Sequence, residues 1–159
     1  MGIYPDKFKI LHRQEIEIMR TLLISLYERH SQNILNGLKT IELRKSKPTK
    51  LLESCSLPCN IFLYETKPTS AIIGVANVIG VENFTPFEWC KKHKSLCLTE
   101  QEIISYLNGK PGYGLKVNNA RRLKTPISLS QMKKWGITPP QGYYYLSSEM
   151  ALELLKNVV

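Results

Sequence analysis

The sequence lacks any apolar run approaching the roughly 20 residues that a membrane-crossing helix needs. Its first 20 residues mix Asp6, Lys7, His12, Arg13, Glu15 and Arg20, with no apolar centre and no small-residue cleavage site, so no secretion signal is read there and a cytoplasmic protein is expected. Acidic residues are scarce. There are 13 Asp and Glu against 22 Lys and Arg, a formal charge of +9, and that imbalance favours a polyanion as partner because each neutralised phosphate releases condensed counterions. The alternative is that the charge only keeps a small protein soluble. Cysteine is sparse too, at Cys55, Cys59, Cys90 and Cys97, which without an export signal read as reduced thiols and not a disulfide framework. Cys55, Cys59, Cys90, His93 and Cys97 could converge on zinc, but their spacing is not one of the tight knuckle patterns, and partly buried thiols are the expectation. No Ser-His-Asp spacing, P-loop, dinucleotide fingerprint or metalloprotease motif occurs, which sets aside nucleotide-triphosphate and redox enzymes and leaves no cofactor to expect. Repeats and low-complexity segments are absent as well.

What is present centres on Ile34 to Arg44. Gly37 can adopt the left-handed conformation that ends a helix, so helix is expected before it and extended chain after it. In that strand Ile41 and Leu43 share one face, and Thr40, Glu42 and Arg44 the other, with Lys39 at the entrance. Polar and charged groups gathered beside an apolar wall make a ligand-facing strand; the plainer reading is a solvated face with an ion pair.

The string Gly37-x-Lys39-x-x-Glu42-x-Arg44 resembles the signature of the ASCH domain family, within the PUA-like superfamily. The likeness extends to Leu23-Ile24-Ser25-Leu26, to the hairpin from Ile61 to Gly74, and to the stretches around Tyr106-Leu107-Asn108-Gly109 and Pro126-Ile127-Ser128-Leu129. It implies an α+β fold, a small mixed β-barrel of PUA-like (ASCH) type decorated by helices. It also implies a cleft lined by Lys39, Glu42 and Arg44 that receives RNA or a nucleotide. Some members cleave RNA, and a small branch deacetylates acetylcytidine; that branch has a threonine where this chain has Glu42. The family usually carries a basic residue and a proline followed by an aromatic where Tyr27, Glu28 and His30 stand here. His30 is read as a structural hydrogen-bonder, with a general base or stacking ring as the sharper options.

One domain with extensions is expected: residues 1–21 as an N-terminal extension with a short helix over 13–20, 22–146 as the ASCH domain, and 147–159 as a helix packed on it. Thr99-Glu-Gln-Glu102 and Ser128-Leu-Ser-Gln131 are capping-box patterns. Tyr113 to Val117 reads as a strand, followed by a second basic cluster at Arg121, Arg122 and Lys124. The candidate nucleic-acid contacts are Lys39, Thr40, Glu42, Arg44, Lys45, Lys47, Lys67, Arg121 and Arg122. If the protein is an enzyme, Lys39 would activate a nucleophile or stabilise an oxyanion and Glu42 would be the general base. A third class, a protein-interaction adaptor built on the terminal helices, stays open.

Overall fold

A computed structural model of the chain describes residues 21–49, 51 and 57–158. The helix expected over 13–20 and Cys55 lie outside the described residues. Within them, six strands and six helices follow in the order β1 (Thr21–Leu26), α1 (Glu28–Leu35), β2 (Ile41–Arg44), β3 (Cys59–Glu65), β4 (Ala71–Phe84), α2 (Pro86–Cys90), α3 (His93–Leu96), α4 (Glu100–Leu107), β5 (Gly112–Ser128), α5 (Leu129–Lys134), β6 (Tyr143–Tyr145) and α6 (Ser148–Leu155). No helix among them is long and apolar enough to cross a membrane.

The strands form one mixed sheet in the order β2-β5-β4-β3-β1-β6, parallel only between β1 and β3. That central pair is buried on both faces, which is why its sequence is almost continuously apolar. Leu22, Ile24, Leu26, Ile61 and Leu63 pack with Ile34 of α1 on one side. Leu23, Phe62 and Tyr64 pack on the other with Met132 of α5 and Ala151 and Leu154 of α6. A third cluster joins Ile41 and Leu43 of β2 to Trp89, Leu96, Ile103 and Leu107 of α2 to α4.

The sheet curls into a half-barrel, as the expected α+β barrel-like class requires. Register shifts in β4 fall between Ile72 and Gly74, between Val75 and Asn77, and between Val78 and Gly80; such bulges bend a strand and increase its twist. At Gly74 there is no room for a side chain. A Cβ there would lie 2.5 Å from Leu35 Cδ2 and 2.9 Å from the Arg121 carbonyl, so the missing side chain lets α1 settle against the sheet. The curl is deep enough that Arg44 of β2 donates from Nη2 to the Ser25 carbonyl of β1 at 3.2 Å, although three strands separate them in the sheet.

β5 continues to Ser128, well beyond the strand expected from the sequence, because β4 pairs with it from Ala71 to Phe84. Asn119 has φ 50°, and around this bulge the alternation of buried and exposed residues breaks. Arg121, Arg122 and Lys124 are therefore strand residues and not a basic loop.

Candidate functional site: the cleft between β1 and β2

At the end of α1 the chain reverses at Gly37, whose φ is 77°, and the amides of Leu38 and Lys39 both donate to the Asn33 carbonyl at 2.9 Å. The Thr40 amide donates to the Ser95 carbonyl and the Thr40 carbonyl accepts from the Val117 amide. These bonds anchor the turn on both sides and direct Lys39 inward. Its residue is only 2% exposed, and its Nζ donates to the Leu96 carbonyl at 2.5 Å and lies 3.6 Å from Glu42 Oε2. Burial pulls the Lys39 ammonium below the ordinary lysine value, and Glu42 opposes that shift.

Glu42 and Arg44 alternate along β2, so both point away from the Ile41 and Leu43 backbone positions that build the third core. Arg44 Nε is 3.3 Å from Glu42 Oε1, an ion-pair distance without hydrogen-bond alignment. Arg44 Nε, Glu42 Oε2 and His30 Nδ1 are all buried without an aligned hydrogen bond, although Lys39 faces Glu42 Oε2 as an ion pair. Buried polar atoms are rarely left so, because each forfeits its solvation.

These residues floor a cleft of about 570 Å³, whose walls include Ser25, Tyr27, His30, Tyr64, Thr66, Glu102, Tyr106 and the segment Pro139, Pro140 and Gln141. Ser25 fixes that segment: its Oγ donates to the Pro140 carbonyl at 2.6 Å and its amide to the Gly142 carbonyl at 3.0 Å. Lys45 Nζ sits 4.6 Å from the centre of the Tyr106 ring, placing a cation over an aromatic wall. Tyr27, 72% exposed, stands at the start of α1 with its ring centre 6.5 Å from that of His30. The helix carrying both is held from beneath by Glu65, whose carboxylate accepts from Ser31 Oγ at 2.5 Å and Gln32 Nε2 at 2.9 Å. Burial works against the Glu65 charge, but the bonds from Ser31, Thr69 and Gln32 outweigh it and hold the carboxyl below its usual range.

Lys39, Glu42 and Arg44 thus converge, while the other sequence candidates stand apart from the cleft lining. Thr40, Lys45, Lys47 and Lys67 are exposed, Lys67 one position beyond Thr66 of the wall. Arg121 and Arg122 pair with Val75 and Gly74 across β5 and β4, and Arg122 Nη2 donates to Asn36 Oδ1 at 3.0 Å. Among the described residues no group of three or more His, Cys, Asp and Glu could hold a metal ion.

No family model matches the chain. Among curated proteins it is similar to the ASCH domain-containing ribonuclease of Zymomonas mobilis, with 26% identity over 144 residues that span 89% of this chain and 94% of that protein. The crystal structure of ASCH from Zymomonas mobilis shares its fold with a TM-score of 0.77 at 24% identity, over 87% of this chain and 95% of that one. In sequence and in fold the chain thus resembles the ASCH domain family, as its signature string led us to expect. The N-terminal domain of McrB from Staphylothermus marinus shares the fold more distantly, with a TM-score of 0.55 and 11% identity over 87% of this chain and 96% of that one.

In this ASCH-like domain the sequence reading missed Tyr106, Glu102 and the 139–141 segment as cleft residues. Glu102 does have a local signal. It is the acidic end of the capping box with Thr99, and from there it meets Arg29 of α1 in a two-pronged ion pair at 2.6 and 2.9 Å. Bonds from Arg29 and the Thr99 amide hold its carboxyl at about 2. A depressed carboxyl stabilises the fold above its unfolded value, roughly 4.3, and that contribution disappears as pH falls through the folded one. Both side chains are more than a third exposed, so solvent screening limits the pair to about 0.5–1 kcal/mol. Arg29→Ala should therefore lower stability in urea by roughly that amount at pH 7, and the two proteins should converge near pH 2.

Proposed function

We propose that the cleft binds single-stranded RNA by enclosing one nucleotide unit. The observation that carries this reading is the charged floor of an open cleft, where the partly exposed Arg44 side chain stands beside the Glu42 and Lys39 ion pair. A nucleotide supplies phosphate or carbonyl acceptors for the guanidinium, which Glu42 holds in place. Tyr27 and Tyr106 offer faces on which a base can stack, and stacking is worth about 1–3 kcal/mol per base. The volume near 570 Å³ lies within the range of small-molecule sites, roughly 300–1,000 Å³, and suits an unpaired nucleotide, not a duplex. Exposed Lys45, Lys47 and Lys67 would attract the flanking backbone; Thr40, Arg121 and Arg122 would be outlying contacts. The net charge of +9 agrees with a polyanionic partner.

Strand cleavage is the second reading, favoured by the 26% identity to a protein named a ribonuclease and by the charged floor at Lys39 and Glu42. Deacetylation of acetylcytidine has less support. Glu42 stands at the position where that branch has threonine, and the exposed Thr40 does not line the cleft.

Salt-titrated binding to single- and double-stranded RNA and DNA tests the proposal. Single-stranded RNA should bind tightest, with an affinity that falls log-linearly with salt at a slope near −0.7 per phosphate neutralised. A preference for duplexes, or no binding to RNA at low salt, would refute it.

A further inference from the structure

Two cleft groups could take a proton from a bound ribose, and the geometry separates them. Glu42 has a side chain only 9% exposed, and its oxygens face Lys39 and Arg44, so its charge is occupied in holding those cations together. His30 is placed differently. It lines the same cleft and is half-buried; its Nδ1 is enclosed, whereas Nε2 is not among the enclosed atoms and has no hydrogen bond to any described residue. Its ring sits one helical turn from Tyr27, a ring-sized surface at the cleft mouth.

We propose that His30, through Nε2, is the general base of an RNA strand-cleaving reaction in which the ribose 2′-hydroxyl attacks the adjacent phosphodiester. This rests on the reading that RNA enters the cleft. The 2′-O–H bond breaks and its proton moves to Nε2; the 2′ oxygen forms a bond to phosphorus; and the bond from phosphorus to the 5′ oxygen breaks. The 5′ oxygen takes a proton from cleft water, and His30 returns its proton to the hydroxide left behind. The products are a 2′,3′-cyclic phosphate and a 5′-hydroxyl, with no net water or electrons consumed. Arg44, whose side chain is 19% exposed, is the cation nearest the open part of the floor and balances charge gathering on the phosphoryl oxygens. Glu42 and Lys39 act as positioning residues that hold Arg44 in place.

The surroundings favour the neutral ring of His30, and acceptance at Nε2 uses the tautomer with its proton on the enclosed Nδ1. Burial and the Lys39 and Arg29 charges lower its pKa below the ordinary histidine value, while Glu42 and Glu102 pull the other way without overcoming them. Cleavage should accordingly decline only below the ordinary histidine pKa, as the imidazole becomes protonated.

The test uses a short fluorescent single-stranded RNA and the same oligomer with 2′-deoxy sugars. Wild type should bind both, cut only the RNA and leave the cyclic phosphate. His30→Gln and His30→Asn should lose far more in cutting than in binding, cutting RNA about 10²–10⁴-fold more slowly while still binding it, with the acid limb of the rate profile gone. Imidazole added to His30→Ala should restore part of the rate. Binding without cleavage by wild type, or cleavage by His30→Gln at the wild-type rate, overturns the proposal while leaving RNA binding intact. Absence of binding by wild type overturns both.

Discussion

Replacing Lys39 by methionine is expected to cost about 3 kcal/mol of stability, the low end of the range for removing one partner of a buried ion pair. The reason lies in what stays behind. Glu42 keeps Arg44 Nε at 3.3 Å but loses the cation 3.6 Å from its other oxygen, and the Leu96 carbonyl loses its donor. Both groups are then enclosed without water to replace Lys39, whose own residue is 2% exposed. For a domain of this size the loss corresponds to a melting temperature lower by about 6–12 °C. The double variant Lys39→Met, Glu42→Leu should recover most of it, because an apolar pair does not carry the desolvation cost of separated charges. Denaturant unfolding of the three proteins measures the coupling. A single variant within about 0.5 kcal/mol of wild type would mean that Lys39 is solvated and not sealed under the floor.

That prediction could be drawn from coordinates but only half-drawn from sequence. The convergence of Lys39, Glu42 and Arg44 was legible because all three lie within six positions of one another, on a strand whose period of two is unmistakable and whose start is set by Gly37. Their burial was not legible. It depends on Leu96 and Ser25, which approach from positions 57 and 19 residues away. The far wall was less accessible still, since Pro139, Pro140 and Gln141 read as an ordinary turn until Ser25, 115 residues earlier, bonds to the Pro140 carbonyl. β5 was truncated in the sequence reading for a local reason: the bulge at Asn119 scrambles the alternation that a strand assignment relies on. The caps, by contrast, were readable from four-residue strings. Thr99 with Glu102 closes a capping box, and Ser128 caps α5 through the Gln131 amide, because the interactions involved are themselves local.

The same contrast between local pattern and distant contact bears on which arginines serve the ligand. Arg44 is held in the cleft by Glu42 and Ser25, whereas Arg121 and Arg122 donate to Asn119 and Asn36 elsewhere on the molecule. A hydrogen bond to a charged partner contributes about 1.5–3 kcal/mol, so Arg44→Ala should weaken single-stranded RNA binding roughly 10- to 150-fold, with a residual that depends less on its neighbours than on salt. Removing Arg121 and Arg122 together takes away only outlying charge. That double variant should lose less than about tenfold at low salt and almost nothing at 0.3 M, where screening is nearly complete beyond a few ångströms.

Comparing Arg44→Ala with the Arg121→Ala, Arg122→Ala double variant in one RNA-binding assay at low and moderate salt puts the cleft itself on trial. A larger loss in Arg44→Ala that persists at moderate salt, where the double variant recovers, is the predicted outcome. Full affinity in Arg44→Ala together with loss in the double variant would place the RNA on the outer face of β5 and contradict the account.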